Sequence, residues 1–177
     1  MEELIAKRYV KALKLSSDLE FMKDIATIFS SVAESFKDNA FVSIMNNPNV
    51  DVKDKLSILL AAVKEINSSK VNNFIKILVE NKRINIIPAI AKELQKYVSD
   101  STKTYKGTVY SDTDIETKII VELSAGLSKK FNSKISLETV KNNFNGIKVD
   151  VEGLGIEINF SKDRIDSQII EHIIKAI

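Results

Sequence analysis

Few residues in this chain have the types and spacing that chemistry needs. His172 is the single histidine. It has no second histidine, no cysteine and no carboxylate at ligand spacing, so it cannot build a metal centre of the usual kind. Gly153-Leu154-Gly155 does not make a phosphate-cradling loop. No Lys-Ser or Lys-Thr follows it, and it stands between two alternating runs, so it reads as a hairpin turn. Asp112 and Asp114 are a conceivable acid/base pair. Two aspartates ahead of an amphipathic segment read instead as caps of a helix starting at Asp114. No nucleophile, base or metal set emerges, so the sequence predicts no enzyme, no catalytic residue, no metal and no cofactor.

What remains is the set of elements that would present surfaces. The chain has 177 residues, 44% hydrophobic and 28% charged, with five glycines and two prolines. That composition describes a helix-rich globular protein, with room for two small domains. The 26 basic residues are interspersed with 24 acidic ones, for a net charge of +2, which lacks the concentrated positive field of a nucleic-acid binder. Cysteine is absent, which excludes a disulfide framework and fits a reducing compartment. The start, Met1-Glu2-Glu3-Leu4, has no basic region before an apolar core, so no signal peptide is expected. Apolar runs stop at five or six residues, against the ~20 that a membrane span requires.

Residues 3–16 predict an amphipathic helix. Asp18 caps a second, with Phe21, Ile25, Ile28, Phe29, Val32 and Phe36 at helical spacing. A short helix over Asn39 to Met45 stops at Asn46-Asn47-Pro48. Asp51 and Asp54 open a fourth, and Ser68 or Ser69 a fifth. The sixth runs from Ile84 to about Ser101 with Pro88 in its first turn. The fifth ends in Glu80-Asn81-Lys82-Arg83, a polar turn with no evident cap. The period then changes to two. Strands are expected over Lys103 to Tyr110, Ser133 to Val140, Gly146 to Val151 and Gly155 to Phe160, with a helix from Asp114 to Phe131 and another from Asp163 to Ile177. The last two strands should form an antiparallel hairpin. Ile147, Val149 and Val151 would share a sheet side with Ile156, Ile158 and Phe160. The helices at 114–131 and 163–177 would cover that side.

The predicted fold is therefore mainly α with a smaller α+β part. A six-helix bundle over 1–104 precedes a C-terminal α+β domain, with a small sheet, over 105–177.

The first helix carries more apolar surface than one core face requires. Ile5, Ala6, Tyr9, Val10, Ala12 and Leu13 cover a broad arc that Leu4 and Leu15 extend, while Lys7, Arg8, Lys11 and Lys14 fill the rest. Two readings stay open: a central helix buried on two sides, or a helix buried on one side and offered to a partner on the other. On the fifth helix, Val71, Phe74, Ile75 and Leu78 make the core stripe. Asn73 and Ile77 lie off it, one turn apart.

Ala6-Lys7-Arg8-Tyr9-Val10-Lys11-Ala12-Leu13, together with the run Asn73-Phe74-Ile75…Leu78…Glu80-Asn81-Lys82-Arg83, resembles the signature of the delta subunits of bacterial and chloroplast rotary ATP synthases. Their mitochondrial counterpart is the oligomycin-sensitivity-conferring protein. Asn47-Pro48 followed by Lys55 matches a weaker pattern of the same family. The likeness covers about residues 4–100 well. In the C-terminal half, Asn145-Gly146-Ile147 and Asp166-Ser167-Gln168 depart from the family pattern, Lys141 stands near an expected acidic position, and the stretch from Gly146 to Asp166 is longer.

The resemblance implies a non-catalytic stator connector of an F-type ATP synthase. Such a subunit joins the alpha/beta head to the b subunits of the peripheral stalk and resists rotor torque. It implies a groove between helices 1 and 5 for the N-terminal helix of an alpha subunit, including Tyr9, Ala12, Asn73 and Ile77. It also implies a peripheral place on the cytoplasmic face of the inner membrane, held only through the complex. An RNA-binding helical module is the alternative. Lys7, Arg8, Lys11 and Lys14 offer it a start, but Glu2 and Glu3 precede them and no aromatic platform accompanies them, so no nucleic-acid partner is expected.

Overall fold

The computed structural model describes residues 2–64, 68–143 and 145–161, with the side chains of Phe160 and Ser161 left aside. The expected final helix over 163–177, His172 and the Asp166-Ser167-Gln168 segment lie outside the described residues. Contacts divide the chain into two compact units, Met1–Val98 and Ser99–Ile177.

Six α-helices run in order through the first part: α1 (Glu2–Ser16), α2 (Leu19–Ser35), α3 (Asn39–Asn46), α4 (Val52–Ala62), α5 (Ser69–Glu80) and α6 (Ile87–Thr102). Local chemistry explains their ends. The Asp18 carboxylate accepts from Phe21 N at 2.8 Å, Asp38 from Ala40 N at 2.8 Å and Asp51 from Lys53 N at 3.1 Å. Each satisfies an N–H that the first helical turn leaves without a carbonyl. Ser68 occupies the cap of α5 but makes no side-chain bond there. α3 stops where Asn47 turns extended, ψ 121°, ahead of Pro48. Lys55 Nζ then donates to the Asn47 carbonyl at 2.7 Å, tying α4 back to that turn. A short 3-10 turn, Ile84–Ile86, leads into α6.

The end of α5 is capped, contrary to the expectation of an open polar turn. Lys82 adopts φ 55°, which returns the chain so that Arg83 N donates to Leu78 O at 2.7 Å and Lys82 N to Val79 O at 3.0 Å. This is the Schellman arrangement, usually built with glycine at the left-handed position. Here a lysine bears that conformation.

The core of the first unit is made where helix faces meet. Met22, Ile25, Phe29, Leu59, Leu78, Ile87, Ile90 and Leu94 are fully buried in it. The α2 stripe runs as the spacing predicts, with Phe21 and Phe36 packed at its margin.

In the second unit, β1 (Thr104–Ser111) leads through α7 (Thr117–Phe131) to β2 (Lys134–Lys141), then β3 (Gly146–Val151) and β4 (Ile156–Ser161). The sheet order is β2-β1-β3-β4, with β1 and β2 parallel and the other pairs antiparallel. A parallel neighbour needs a long crossover, which α7 supplies. β3 and β4 form the expected hairpin. Ile147 pairs with Phe160, Val149 with Ile158 and Val151 with Ile156, so each pair shares one sheet side. A 3-10 turn over Glu152–Leu154 joins them, and Gly155 at φ 63° turns the chain into β4.

Alternation gives the sheet one apolar side and one wet side. Tyr105, Val109, Ile135, Val149, Val151 and Ile156 are buried together with Leu127 of α7. Lys148 and Glu157 meet on the other side, Nζ to Oε1 at 2.9 Å. α7 begins at Thr117, not Asp114. Its cap position is Glu116, without a side-chain bond, so Asp112 and Asp114 are not its caps. The Ser111 hydroxyl accepts from Thr113 N at 3.2 Å and holds the connection non-helical.

Candidate functional site

α1 and α5 lie side by side and antiparallel. Tyr9 meets Phe74 edge-on, ring centroids 5.9 Å apart at 71°. Seven residues on in α1 and four back in α5, Lys70 Nζ donates to the Ser16 carbonyl at 3.1 Å and stands 5.5 Å from the Phe21 ring centroid. That ammonium answers the partial negative charge at the end of α1.

The helical spacing separates the buried stripe of each helix from its exposed flank. On α1, Ala6, Val10 and Leu13 are buried, Tyr9 is half-buried and Ala12 is exposed. On α5, Val71, Phe74, Ile75, Leu78 and Val79 are buried, while Asn73 is exposed and Ile77 is 45% exposed. Tyr9 and Phe74 thus form a contact between the helices. Ala12 flanks it on α1, and Asn73 and Ile77 flank it on α5. Ile77 thus leaves apolar surface nearly half in water beside an asparagine. Leu4 and Leu15, which extend the arc beyond Ala12, are 61% and 82% exposed.

Among the described residues, no group of three or more His, Cys, Asp or Glu side chains is placed to hold a metal ion. A hollow at the end of β1 and β2 is lined by Ser111, Asp114, Thr139 and Lys141 among others. Lys141 Nζ lies 3.4 Å from the Asp114 carboxylate, so the charges there answer each other. Asp114 is an exposed partner of Lys141 at the strand end, a surface pair that contributes little to stability. Tyr105 donates its hydroxyl to Asp100 at 3.0 Å, and burial, with this bond, raises its pKa above the usual tyrosine value.

A family profile described as ATP synthase delta (OSCP) subunit matches residues 5–163. ATP synthase subunit delta of Sulfurimonas denitrificans is 56% identical over 177 residues, all of both chains. That of Aliarcobacter butzleri is 40% identical over the same full length.

The chain belongs to the ATP synthase delta (OSCP) subunit family.

A chain in the cryo-electron microscopy structure of the Toxoplasma gondii mitochondrial ATP synthase hexamer has the same fold. It aligns with TM-score 0.66 at 20% identity, over 96% of this chain and 97% of that one. A delta subunit is a non-catalytic part of an F-type ATP synthase. Among the described residues, no helix is long and apolar enough to cross a membrane.

Proposed function

We propose that this subunit is the stator connector of its ATP synthase. It would hold the alpha/beta catalytic head to the b subunits of the peripheral stalk and resist the torque of the rotor. Residues 1–104 would face the head and 105–177 the stalk. The complex would place the protein peripherally on the cytoplasmic face of the inner membrane.

The observation that carries this reading is the α1/α5 pair. The Tyr9–Phe74 contact is flanked by Ala12, Asn73 and the exposed Ile77. Such a flank suits an amphipathic helix laid along it, here the N-terminal helix of an alpha subunit. Apolar burial at ~25 cal/mol per Å², less the cost of ordering the helix, gives a contact that resists slipping. Asn73 supplies an amide to fix the helix's register.

The test is Ile77→Asp in the full chain, titrated with a peptide of the alpha-subunit N-terminus. Ile77 is off the core, so the variant folds and loses more than about 1 kcal/mol of binding, as an anchor residue does. Asn73→Ala loses less. If Ile77→Asp binds the peptide as well as the parent, the groove is wrong. If it unfolds, Ile77 is core. No observation favours the RNA-binding alternative, since Lys14 is turned against the Tyr97 ring, 4.9 Å from its centroid.

A further inference from the structure

Three sides of α1 are occupied or assigned. Ala6, Val10 and Leu13 enter the core, Tyr9 meets α5 and Lys14 meets Tyr97 of α6. The fourth side, opposite the core, holds Leu4, Arg8, Lys11 and Leu15. Their spacing of four, three and four residues keeps them within about 60° on the helix, in a line about 16 Å long. Leu15 at 82% and Leu4 at 61% are among the most exposed large apolar residues described. Arg8 and Lys11 are exposed, and among the described residues neither takes part in an ion pair.

We propose that this seam, Leu4-Arg8-Lys11-Leu15, docks a second amphipathic helix, an acidic one, alongside the α1/α5 groove that Ala12 borders. The spacing is that of a helix–helix seam, in which positions four and three apart meet one partner. The leucines sit at the two ends and the cations between them. A partner helix with apolar residues about eleven apart and carboxylates between would cover both leucines and answer both charges. A lipid surface is a poorer fit. It rewards a continuous apolar face with cations at the rim, and here the cations interrupt the apolar line.

The full-length protein is titrated by fluorescence anisotropy with a synthetic helix of about 18 residues. The probe bears two leucines eleven apart and glutamates at the two seam positions between them. A matched probe carries lysines in place of the glutamates. The acidic probe binds the parent, and Arg8→Glu with Lys11→Glu weakens it about tenfold or more while gaining affinity for the lysine probe. Leu15→Ser weakens the acidic probe without disturbing the fold, because the side chain is in water. Ile77→Asp leaves the acidic probe unaffected, which separates this seam from the groove. The proposal is overturned if the acidic probe does not bind, if the double charge reversal leaves its binding unchanged, or if the parent prefers phosphatidylglycerol vesicles to the probe.

Discussion

In Met1–Val98, helix faces meet helix faces, and large side chains such as Phe29, Met22 and Leu94 fill the space between them. In Ser99–Ile177, one face of a sheet is packed from one side, and the tightest places are where neighbouring residues close over a glycine. Gly107 shows this. A Cβ there would stand 2.7 Å from Val151 Cγ2, 2.8 Å from Leu137 Cδ2 and 2.9 Å from the Asp150 carbonyl oxygen. The first unit is sensitive to losing atoms and the second to gaining them. The bundle can also leave whole helix flanks free of structural duty, because each helix needs only a stripe for the core. The sheet has less to spare, since every second residue of a strand faces its cover.

Deleting bulk from the bundle should give the largest effect. Phe29 is 1% exposed and packs against Phe74, ring centroids 5.4 Å apart and planes tilted by 47°. Phe29→Ala should cost ~3–5 kcal/mol through lost burial and the cavity left behind. Hydrogen exchange should rise across the described residues of Met1–Val98 and change little beyond Ser99. An equal rise in both units would break the comparison.

Adding a methyl at the sheet comes next. Gly107→Ala should cost ~2–3 kcal/mol, because Leu137 and Val151 can shift but the Asp150 carbonyl is held in the ladder. Urea unfolding followed by exchange in β1, β2 and β3 reads this directly. A neutral result would mean that the strands separate easily, and the contrast between the units would fail.

The bond between α7 and β2 should matter less. Ser128 Oγ accepts from Ile135 N at 2.9 Å, and the Ser124 hydroxyl donates to Ile135 O. Ser128→Ala leaves the Ile135 N–H without that acceptor and should cost ~1–2 kcal/mol. Exchange of the Ile135 amide is the sensitive readout. Unchanged protection there would show that the hydroxyl is dispensable.

The two regions also differ in how far sequence reveals them. Helices with strong apolar periodicity and an aspartate at the right place, such as α2 behind Asp18, are written locally. So is the hairpin, whose alternation across Gly153 and Gly155 sets the pairing of Val149 with Ile158. Asp112 and Asp114 misled because an aspartate suits a cap and a strand-end ion pair equally well. Only the partner, Lys141, decides between them, and it is 27 residues from Asp114. Lys82 misled because left-handed caps favour glycine, and a lysine gives no local sign of one. Of the candidate site, Ile77 and Asn73 stood out locally as off the α5 stripe. Their neighbourhood with Tyr9 rests on a contact between residues 65 apart in the chain, Tyr9 and Phe74, which periodicity does not encode and which the family resemblance supplied.

The smallest effect expected is a pH dependence confined to the second unit. Tyr105 is 6% exposed, lies against Gly153, and donates its hydroxyl to Asp100 at 3.0 Å. Burial first, then the bond to Asp100 and its negative charge, raise the phenol's pKa. The protonated form is thus the one that the fold prefers. Its stabilising contribution is complete below the ordinary tyrosine pKa of about 10 and is lost as pH rises through the higher folded value. At pH 7, Tyr105→Phe should cost ~1 kcal/mol, the worth of one hydrogen bond. Comparing urea midpoints of parent and variant from about pH 7 to pH 11 isolates this group from the lysines that titrate in the same range. The parent's advantage should shrink toward zero at the alkaline end, because a phenolate beside Asp100 is held where only the phenol fits. Asp100→Asn retains an acceptor but removes the charge that helps raise the phenol's pKa, so in that background the tyrosine should lose less of its advantage over phenylalanine as pH rises. A difference between parent and Tyr105→Phe that stays constant across the range would show that the phenol ionises no less readily in the fold than outside it, and that burial at the end of β1 does not select its protonated form.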